Sequence, residues 1–232
     1  MIYFSHRGAS GECVQNTLAA FKRARELGAT RYELDVHRLK DGALAVHHDY
    51  EVCSADGKTA PLAQLTQADL KNFALKNPFA DGKNYFIPLL EEILPVVLPK
   101  LDTLNIELKN DDNRYPDIEK GLLAVLSHSG FPLEKVLFSS FDLPTLLRLR
   151  EACAQAQIGV LTRAFNVQEA LNLRARSVHL NYKRFTPEIA QISHDNGLKV
   201  LLYTINDAAL AQQVRSQGAD GIFTDCIGQF IG

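Results

Sequence analysis

The chain has 232 residues, 46% of them hydrophobic, with 25 basic against 27 acidic residues and a formal net charge of −2. This length and apolar content suffice for one large domain, and the balanced charge argues against nucleic acid or an anionic membrane surface as the main partner. No apolar run approaches the roughly 20 residues of a membrane span, and the first predicted strand leaves no room for a signal peptide. We therefore expect a cytoplasmic protein without stable membrane association.

Strand-like apolar runs alternate with segments of helical periodicity along the whole chain. In chain order the predicted strands are 2–5, 32–36, 44–48, 103–108, 136–139, 158–161, 177–180, 200–203 and 221–224. The predicted helices between them are 17–27, 89–97, 118–129, 143–154, 167–173, 187–196 and 207–216. Such alternation is typical of a parallel sheet covered by helices.

The second and third predicted strands are joined too tightly to be parallel neighbours. Asp41-Gly42 lies at the centre of their connection, and this dipeptide favours a hairpin turn. The third strand is therefore predicted to be the return arm of a β-ribbon at the barrel mouth. Eight parallel strands remain, the number of a closed (β/α)8 barrel. If Asp41 and Gly42 are the only turn residues, Asp35 lies opposite His48, whereas a longer loop shifts that pairing by one residue.

Residues 50–86 are too long for a simple connection and mix proline, glycine and asparagine with one helical segment near 65–75. We expect a small insertion over the barrel mouth that shapes access of the substrate. The sequence shows no internal repeat, linker or low-complexity segment. Residues 1–232 are therefore predicted to form a single barrel domain with an insertion at about 50–86.

The four cysteines are scattered, at Cys13, Cys53, Cys153 and Cys226. They form no C-x-x-C pair, and a disulfide framework or a zinc site would need closer, patterned spacing. We expect reduced structural thiols.

Charged and polar residues follow several of the apolar strands, where an unpaired buried charge would cost several kcal/mol or shift its pKa. They are His6, Arg7, Glu33, Asp35, His48, Glu107 and Lys109. Because the carboxyl ends of barrel strands line the active site, we expect these residues to meet in one site. Their combination of carboxylates, imidazoles and cations indicates metal-dependent phosphate chemistry.

Glu33, Asp35 and Glu107 are the candidate metal ligands, because oxygen donors suit one hard divalent cation, Mg²⁺ or Ca²⁺, far better than zinc. The alternative for these carboxylates is structural ion pairing with nearby basic residues, namely Arg31, Arg38 and Lys109. Two histidines at the same end of the barrel favour the metal site.

His6 and His48 are the candidate acid/base pair, since imidazole can take up and release a proton near neutral pH. Arg7 follows His6 and can bind a phosphate through two parallel hydrogen bonds.

The remaining histidines are not assigned to the site. His47 is expected to pack on the other side of the ribbon, His37 stays unassigned, and three are expected to be structural or exposed, namely His128, His179 and His194. Asn16-Thr17 is interpreted as the cap of the first helix.

Taken together and in order, the motifs resemble those of the glycerophosphodiester phosphodiesterase family over the whole chain. The matching segments include His6-Arg7-Gly8, Asn16-Thr17, Glu33-Leu34-Asp35-Val36, His48-Asp49, Glu107-Leu108-Lys109, Ser139-Ser140-Phe141, Thr204-Ile205-Asn206 and the segment from Asp220 to Asp225. The resemblance implies a TIM barrel that hydrolyses small glycerophosphodiesters to glycerol 3-phosphate and an alcohol. It also implies one divalent cation on the three carboxylates, His6 and His48 as the acid/base pair, and Arg7 and Lys109 on the phosphate.

The chain departs from the usual family pattern at a few positions. Gln15 stands where a glutamate is usual, Tyr203 where a tryptophan is usual, and Cys226 where a proline is usual. The segment after Asp49 lacks the usual Leu-x-Arg-Thr-Thr pattern, which bears on head-group preference. Two alternatives are a lysophospholipase D-like or other phospholipid phosphodiesterase, and a catalytically impaired binding or sensing barrel, which only Gln15 favours.

Overall fold

The computed structural model describes residues 1–79 and 81–231. Its strands are β1 (Ile2–His6), β2 (Arg31–Arg38), β3 (Leu44–Val46), β4 (Glu51–Cys53), β5 (Thr59–Pro61), β6 (Thr103–Leu108), β7 (Val136–Ser140), β8 (Gln157–Thr162), β9 (Ser177–Asn181), β10 (Lys199–Tyr203) and β11 (Gly221–Thr224). Eight of these strands pair in parallel, and β1 pairs with both β2 and β11, so the sheet closes on itself. The predicted (β/α)8 barrel is confirmed, and each predicted strand ends within two residues of the observed one.

Helices follow most of the barrel strands. Within the described residues they are α1 (Leu18–Glu26), α2 (Leu90–Val97), α3 (Ile118–His128), α4 (Leu143–Ala152), α5 (Val167–Asn172), α6 (Pro187–Asp195) and α7 (Ala208–Ser216). Several begin where a short polar side chain accepts a hydrogen bond from the first turn, as at Thr17, Asp142 and Asp207. None of the helices in residues 1–79 and 81–231 has the length and apolar character that crossing a membrane requires.

The barrel strands separate an outer apolar core from an inner polar site. On β2, every second residue joins the core shared with the helices, namely Tyr32, Leu34 and Val36. Glu33 and Asp35 lie between them and therefore point into the barrel. A second apolar cluster, Phe4, Leu137, Leu201 and Phe223, lies inside the barrel, and the rings of Phe4 and Phe223 are 5.0 Å apart. The inner polar residues thus lie toward the carboxyl ends of the strands, above an apolar plug.

The predicted β-ribbon is confirmed, and of the two registers left open by the sequence it has the one that a loop longer than two residues gives. Strand β3 pairs antiparallel with the end of β2, and the partners are Val36 with Val46, His37 with Ala45 and Arg38 with Leu44. The loop has three residues instead of two, because the Leu39 N–H donates to the Ala43 carbonyl (2.8 Å) and Gly42 takes φ +90°. His47, not His48, therefore lies opposite Asp35, whose carbonyl accepts the His47 N–H at 3.1 Å.

The insertion contains the short β4–β5 hairpin and two single 3-10 turns, Leu62–Gln64 and Leu70–Asn72. The longer helical segment predicted near 65–75 is wrong. The backbone N–H groups of this segment donate to carbonyls three residues back, as from Asp69 to Thr66 (3.0 Å) and from Phe73 to Leu70 (3.1 Å), so that the chain stays in 3-10 turns. The insertion still packs on a small apolar core of its own, which includes Val52, Leu62 and Leu75.

Candidate active site

The seven predicted site residues meet at the carboxyl end of the barrel. Six of them line one cavity of about 210 Å³, and Asp35 lies fully buried directly behind it. The other side chains around the cavity are Asn105, Ser139, Phe141, Leu161, His179, Tyr203, Thr204 and Phe223. The cavity therefore has a charged side and a second side on which apolar and polar side chains are mixed.

The carboxylates of Glu33, Asp35 and Glu107 form one buried cluster, in which ligand oxygens lie within 4.8 Å of one another. Two of the residues alternate on β2, and Glu107 is the register partner of Asp35 on β6. Apart from ion pairs with Lys109, the buried atoms Asp35 Oδ1 and Glu107 Oε1 accept no hydrogen bond from the described residues. Buried oxygen donors with spare lone pairs fit a hard divalent cation.

Crowding changes the protonation of this cluster. Burial, followed by the negative charge of Asp35, raises the pKa of Glu107 to about 7 and raises the pKa of Glu33 well above its usual value. Burial would also raise the pKa of Asp35, but the charges of Lys109 and Arg7 outweigh it and hold that pKa below its usual range. Without a cation the cluster therefore tends to hold a proton near neutral pH, and a cation would displace it.

Arg7 and Lys109 bring two positive charges to the same cavity. Arg7 Nε lies 3.1 Å from Asp35 Oδ2, and Lys109 Nζ lies 3.2 Å from Asp35 Oδ1 and 2.7 Å from Glu107 Oε1. The predicted ion-pair alternative therefore holds for Lys109. Arg31 instead pairs with Asp102 at 2.9 Å. Arg38 donates to the Pro116 carbonyl at 3.1 Å.

The backbone at the start of the β1–α1 loop fixes the position of Arg7. Arg7 adopts φ +56°, and its N–H donates to Glu33 Oε2 at 3.0 Å. Gly8 follows at φ +80°, and a Cβ there would lie only 2.6 Å from the carbonyl carbon of Ala20. Glycine is required at this position because α1 begins directly against the loop.

His6 is held by the carboxylate of Asp225, which follows the strand predicted at 221–224 and was given no role in the site from the sequence. Its Nδ1 lies 2.7 Å from Asp225 Oδ1, at the end of β11, and its Nε2 lies 4.0 Å from Glu33 Oε2. Asp225 also accepts from Ser10 Oγ and Asn206 Nδ2, both at 2.8 Å. A carboxylate at Nδ1 places the proton there and leaves Nε2 directed at the cavity. Burial lowers the pKa of His6, although Asp225 opposes that shift.

His48 reaches the cavity despite the shifted register, because strand pairing ends at Val46 and the chain then turns. Its Nδ1 lies 2.7 Å from Asp49 Oδ1, and burial lowers its pKa. The His48 carbonyl is fixed by His37 Nε2 at 3.2 Å, while His37 Nδ1 lies 3.0 Å from the Tyr115 hydroxyl. Burial lowers the pKa of His37 to about 3, so this previously unassigned histidine is a neutral support for the ribbon.

Two polar residues of the β1–α1 loop, Gln15 and Asn16, contact charged side chains of the site. Thr17 caps α1 as predicted, but Asn16 instead donates from Nδ2 to Asp35 Oδ2 at 2.8 Å and is buried. Gln15, the departure from the family pattern, accepts from Arg7 Nη1 at 2.8 Å. The Gln15 side chain thus orients the arginine.

Of the three histidines expected to be structural or exposed, His179 is the one that faces the interior of the barrel. It is fully buried and lines the cavity floor, where strand alternation from the predicted strand 177–180 could have located it. His194 lies 2.9 Å from Asp220 outside the cavity. His47 faces a neighbouring groove of about 670 Å³, together with Gln15 and Asp49.

Comparisons with known proteins agree over nearly the whole chain. The sequence model of the "Glycerophosphoryl diester phosphodiesterase family" matches residues 6–229. A glycerophosphodiester phosphodiesterase of Caldanaerobacter subterraneus subsp. tengcongensis is 33% identical over 230 residues, covering 97% of this chain and 93% of that protein. One from Bacillus altitudinis is 34% identical over 230 residues, with 96% and 93% covered. The solved structure of an Oleispira antarctica phosphodiesterase in complex with the product sn-glycerol-3-phosphate has a TM-score of 0.91 and 26% identity, with 99% of this chain and 94% of that chain covered.

Proposed function

The chain belongs to the glycerophosphoryl diester phosphodiesterase family and is an enzyme that hydrolyses glycerophosphodiesters to glycerol 3-phosphate and an alcohol, and we propose how its own residues do so. The observation that carries this proposal is that three carboxylates, two histidine–carboxylate pairs and two buried basic side chains lie around one small cavity. The same observation supports turnover over a binding or sensing role, because Gln15 contacts Arg7 and leaves the other groups in place.

Glu33, Asp35 and Glu107 would hold one divalent cation, Mg²⁺ or Ca²⁺, since all three offer only oxygen. When bound, such a cation supplies Lewis-acid polarisation of a phosphoryl oxygen. The Asn16 amide keeps one oxygen of Asp35 engaged at 2.8 Å, so that the other oxygen faces the cluster. Asn16 therefore orients a ligand without being one.

Arg7 and Lys109 bind the non-bridging phosphate oxygens and neutralise the charge that develops on them. Both are largely buried and already fixed by ion pairs with Asp35. Little reorganisation is then needed when the substrate arrives. Gln15 holds one amino group of Arg7, which sets the plane of the guanidinium.

His6 and His48 act as the acid/base pair through their Nε2 atoms. In each, a carboxylate at Nδ1 fixes the tautomer, Asp225 for His6 and Asp49 for His48. The ring that acts as the base starts neutral, and its free Nε2 takes a proton from the attacking oxygen. The ring that acts as the acid starts doubly protonated, and it gives its Nε2 proton to the oxygen of the departing alcohol. The proton count then balances over the reaction, because the proton taken at one ring is matched by the proton released at the other.

The match over residues 6–229 supports a further proposal, that residues 1–232 form one barrel domain with the insertion at about 50–86.

Four cysteines without disulfides, Cys13, Cys53, Cys153 and Cys226, support a cytoplasmic location.

The experiment is to measure glycerol 3-phosphate release from glycerophosphocholine and glycerophosphoethanolamine with Mg²⁺, with Ca²⁺ and with EDTA. We expect release that EDTA abolishes and that one of the two cations restores. Glu107→Gln should lower turnover about a hundredfold or more, whereas Glu51→Gln, an exposed residue of the insertion, should match the wild type. Release that continues in EDTA would contradict the proposed metal site.

A further inference from the structure

Exposed basic side chains are concentrated at one side of the cavity mouth. Arg163 directly follows β8, and Lys183 and Arg184 lie in the 3-10 turn that follows β9. All three are exposed to solvent. Because β8 and β9 are neighbours in the barrel, their carboxyl ends bring these residues to the same part of the mouth. We refer to Arg163, Lys183 and Arg184 as the basic rim.

Within the part of the chain that the structure describes, no carboxylate forms a salt bridge with the basic rim; the salt bridges of lysine and arginine there involve other side chains. Acidic residues of the adjoining segments have local roles instead. Asp142 caps α4 by accepting the Thr145 N–H at 2.9 Å, and Glu169 accepts from Asn166 Nδ2 at 3.2 Å. Like charges that lie together repel one another, so the basic rim attracts an anion from outside the chain.

Packing holds two arginines of the basic rim beside the wall of the active-site cavity. The Arg163 guanidinium lies over the ring of Phe141, with its central carbon 4.3 Å from the ring centroid. Phe141 lines the cavity, and its ring meets the ring of Tyr203 edge-on at 6.3 Å. Burial raises the pKa of Tyr203, and the positive charges of Arg163 and Arg184 oppose that shift. Both arginine charges therefore act at the cavity wall.

Arg163 and Arg184 are placed so that both can bind one group. Arg184 Nη1 donates to the Arg163 carbonyl, which holds the second arginine against the loop that carries the first. Both side chains line one recess of about 180 Å³ beside the mouth, whose other walls include Phe165 and Ile189. Among the described residues, this bond is the only one made by either guanidinium. Guanidinium groups with free N–H donors suit a phosphate or a carboxylate.

We propose that Arg163 and Arg184 bind an anionic group, phosphate or carboxylate, on the departing alcohol of the substrate, so that diesters of acidic alcohols are preferred. The inference rests on the proposed function, which places the reacting phosphate at Arg7 and Lys109. The apolar plug closes the barrel below the site. The alcohol therefore leaves through the mouth, where the basic rim meets it.

A cationic alcohol finds less support at this mouth. The carboxylates on its other side, Asp49 and Asp225, already lie 2.7 Å from His48 and His6. Asp225 also accepts from Asn206 Nδ2. The unpaired arginines of the basic rim repel an ammonium group and attract a second negative charge. The distribution of charge around the mouth thus favours acidic alcohols over cationic ones.

The test compares three substrates that differ only in the group at the end of a four-carbon alcohol. They are the glycerophosphodiesters of 4-aminobutanol, of butane-1,4-diol and of that diol's terminal phosphate monoester, and they end in ammonium, hydroxyl and phosphate. In the cation-loaded protein at low ionic strength, we expect kcat/KM for the phosphate-ended diester to exceed that for the hydroxyl-ended diester about tenfold, with the ammonium-ended diester below both. The preference should shrink at about 0.5 M NaCl, because salt screens exposed charges.

Charge variants locate the preference. The double variant Arg163→Gln/Arg184→Gln should bring the ratio of the phosphate-ended to the hydroxyl-ended kcat/KM to near one. Arg163→Lys/Arg184→Lys should keep part of the ratio, since the charge remains but the paired donors are lost. Arg215→Gln, at an exposed arginine of the outer helix α7, is the matched control and should leave the ratio at about ten. A wild-type ratio of one would overturn the proposal, as would a preference that survives in Arg163→Gln/Arg184→Gln.

Calorimetry separates this inference from its neighbours. Binding of inorganic phosphate that is lost in Arg163→Gln/Arg184→Gln, combined with equal kcat/KM for the phosphate-ended and hydroxyl-ended diesters, would assign the basic rim to a free anion and overturn the proposal. If none of the three diesters is hydrolysed, the proposed function is contradicted and affinity decides the inference. The wild type should then still bind the phosphate-ended diester about tenfold more tightly than the hydroxyl-ended one, and the glutamine variant should bind both alike. Equal affinities in the wild type would overturn the inference.

Discussion

Replacing Asp225 by asparagine tests the role of the carboxylate behind His6. The wild-type carboxylate accepts the Nδ1 proton at 2.7 Å and is itself held by Ser10 and Asn206. A hydrogen bond to a charged group contributes about 1.5–3 kcal/mol, which corresponds to roughly 10- to 150-fold in rate. Asparagine can also donate to Nδ1 and so move the imidazole proton to Nε2, the atom that must exchange protons with the substrate. The equivalent change in a serine protease lowers kcat about 10⁴-fold.

We therefore expect Asp225→Asn to lower kcat at least about a hundredfold, with a smaller change in KM. Asp49→Asn is the matched control, since the same bond to His48 Nδ1 is made by a carboxylate that is 70% exposed. Water screens that pair, so its loss should cost less than about tenfold. The assay is steady-state release of glycerol 3-phosphate, with circular dichroism as a folding check. ¹⁵N NMR of His6 should place the proton on Nδ1 in the wild type and on Nε2 in the variant.

Turnover of Asp225→Asn within about threefold of the wild type would refute this reasoning. So would a wild-type NMR spectrum with the His6 proton on Nε2. An equal loss in Asp49→Asn and Asp225→Asn would show that burial of the carboxylate does not decide its contribution.

Three further predictions concern the cation, the phosphate and the backbone. The pKa of Glu107 is raised to about 7 in the cation-free protein, so its carboxyl group loses its proton as pH rises from 6 to 8. Calorimetry should therefore find that Mg²⁺ or Ca²⁺ binds about tenfold more tightly at pH 8 than at pH 6. Equal affinities at the two pH values would contradict this prediction. Arg7→Lys should lower kcat/KM tenfold or more, since lysine cannot contact both Asp35 and Gln15, whereas an unchanged value would mean that only the charge matters. Gly8→Ala should lower the free energy of unfolding in urea by about 3 kcal/mol or more, because the new Cβ would overlap Ala20. Gly57→Ala should lower it by only about 1 kcal/mol, since φ is also positive there but no atom lies within 4 Å. Similar losses in the two variants would exclude the predicted overlap with Ala20.

The architecture followed from local patterns because each barrel strand and helix carries its own periodicity. The ribbon shows where that information ends. Asp41-Gly42 correctly indicated a hairpin, but a three-residue loop with Gly42 at φ +90° replaced the two-residue turn. A slip of one residue exchanges the faces of His47 and His48. His48 still reaches the cavity only because the chain leaves the strand after Val46.

The roles of Asp225 and His179 depend on contacts between distant parts of the chain. Asp225 meets His6 across 219 positions of sequence because β11 closes the barrel against β1. Its place just after a predicted strand gave a weak signal, shared with many turn residues. His179 has the spacing of an inward-facing residue, but its depth is set by Gly159 on the neighbouring strand. The hydrophobic pattern of the sequence does not determine the register between β8 and β9.

The most direct test of the central claim is the stoichiometry of cation binding. Calorimetry with Mg²⁺ or Ca²⁺ on protein stripped by EDTA should give one site per chain, and Glu33→Gln and Glu107→Gln should each weaken binding at least about tenfold. Glycerol 3-phosphate release should recover in the wild type with the same dependence on cation concentration. Full activity in the stripped protein, or unchanged binding in both variants, would contradict a cation held by Glu33, Asp35 and Glu107.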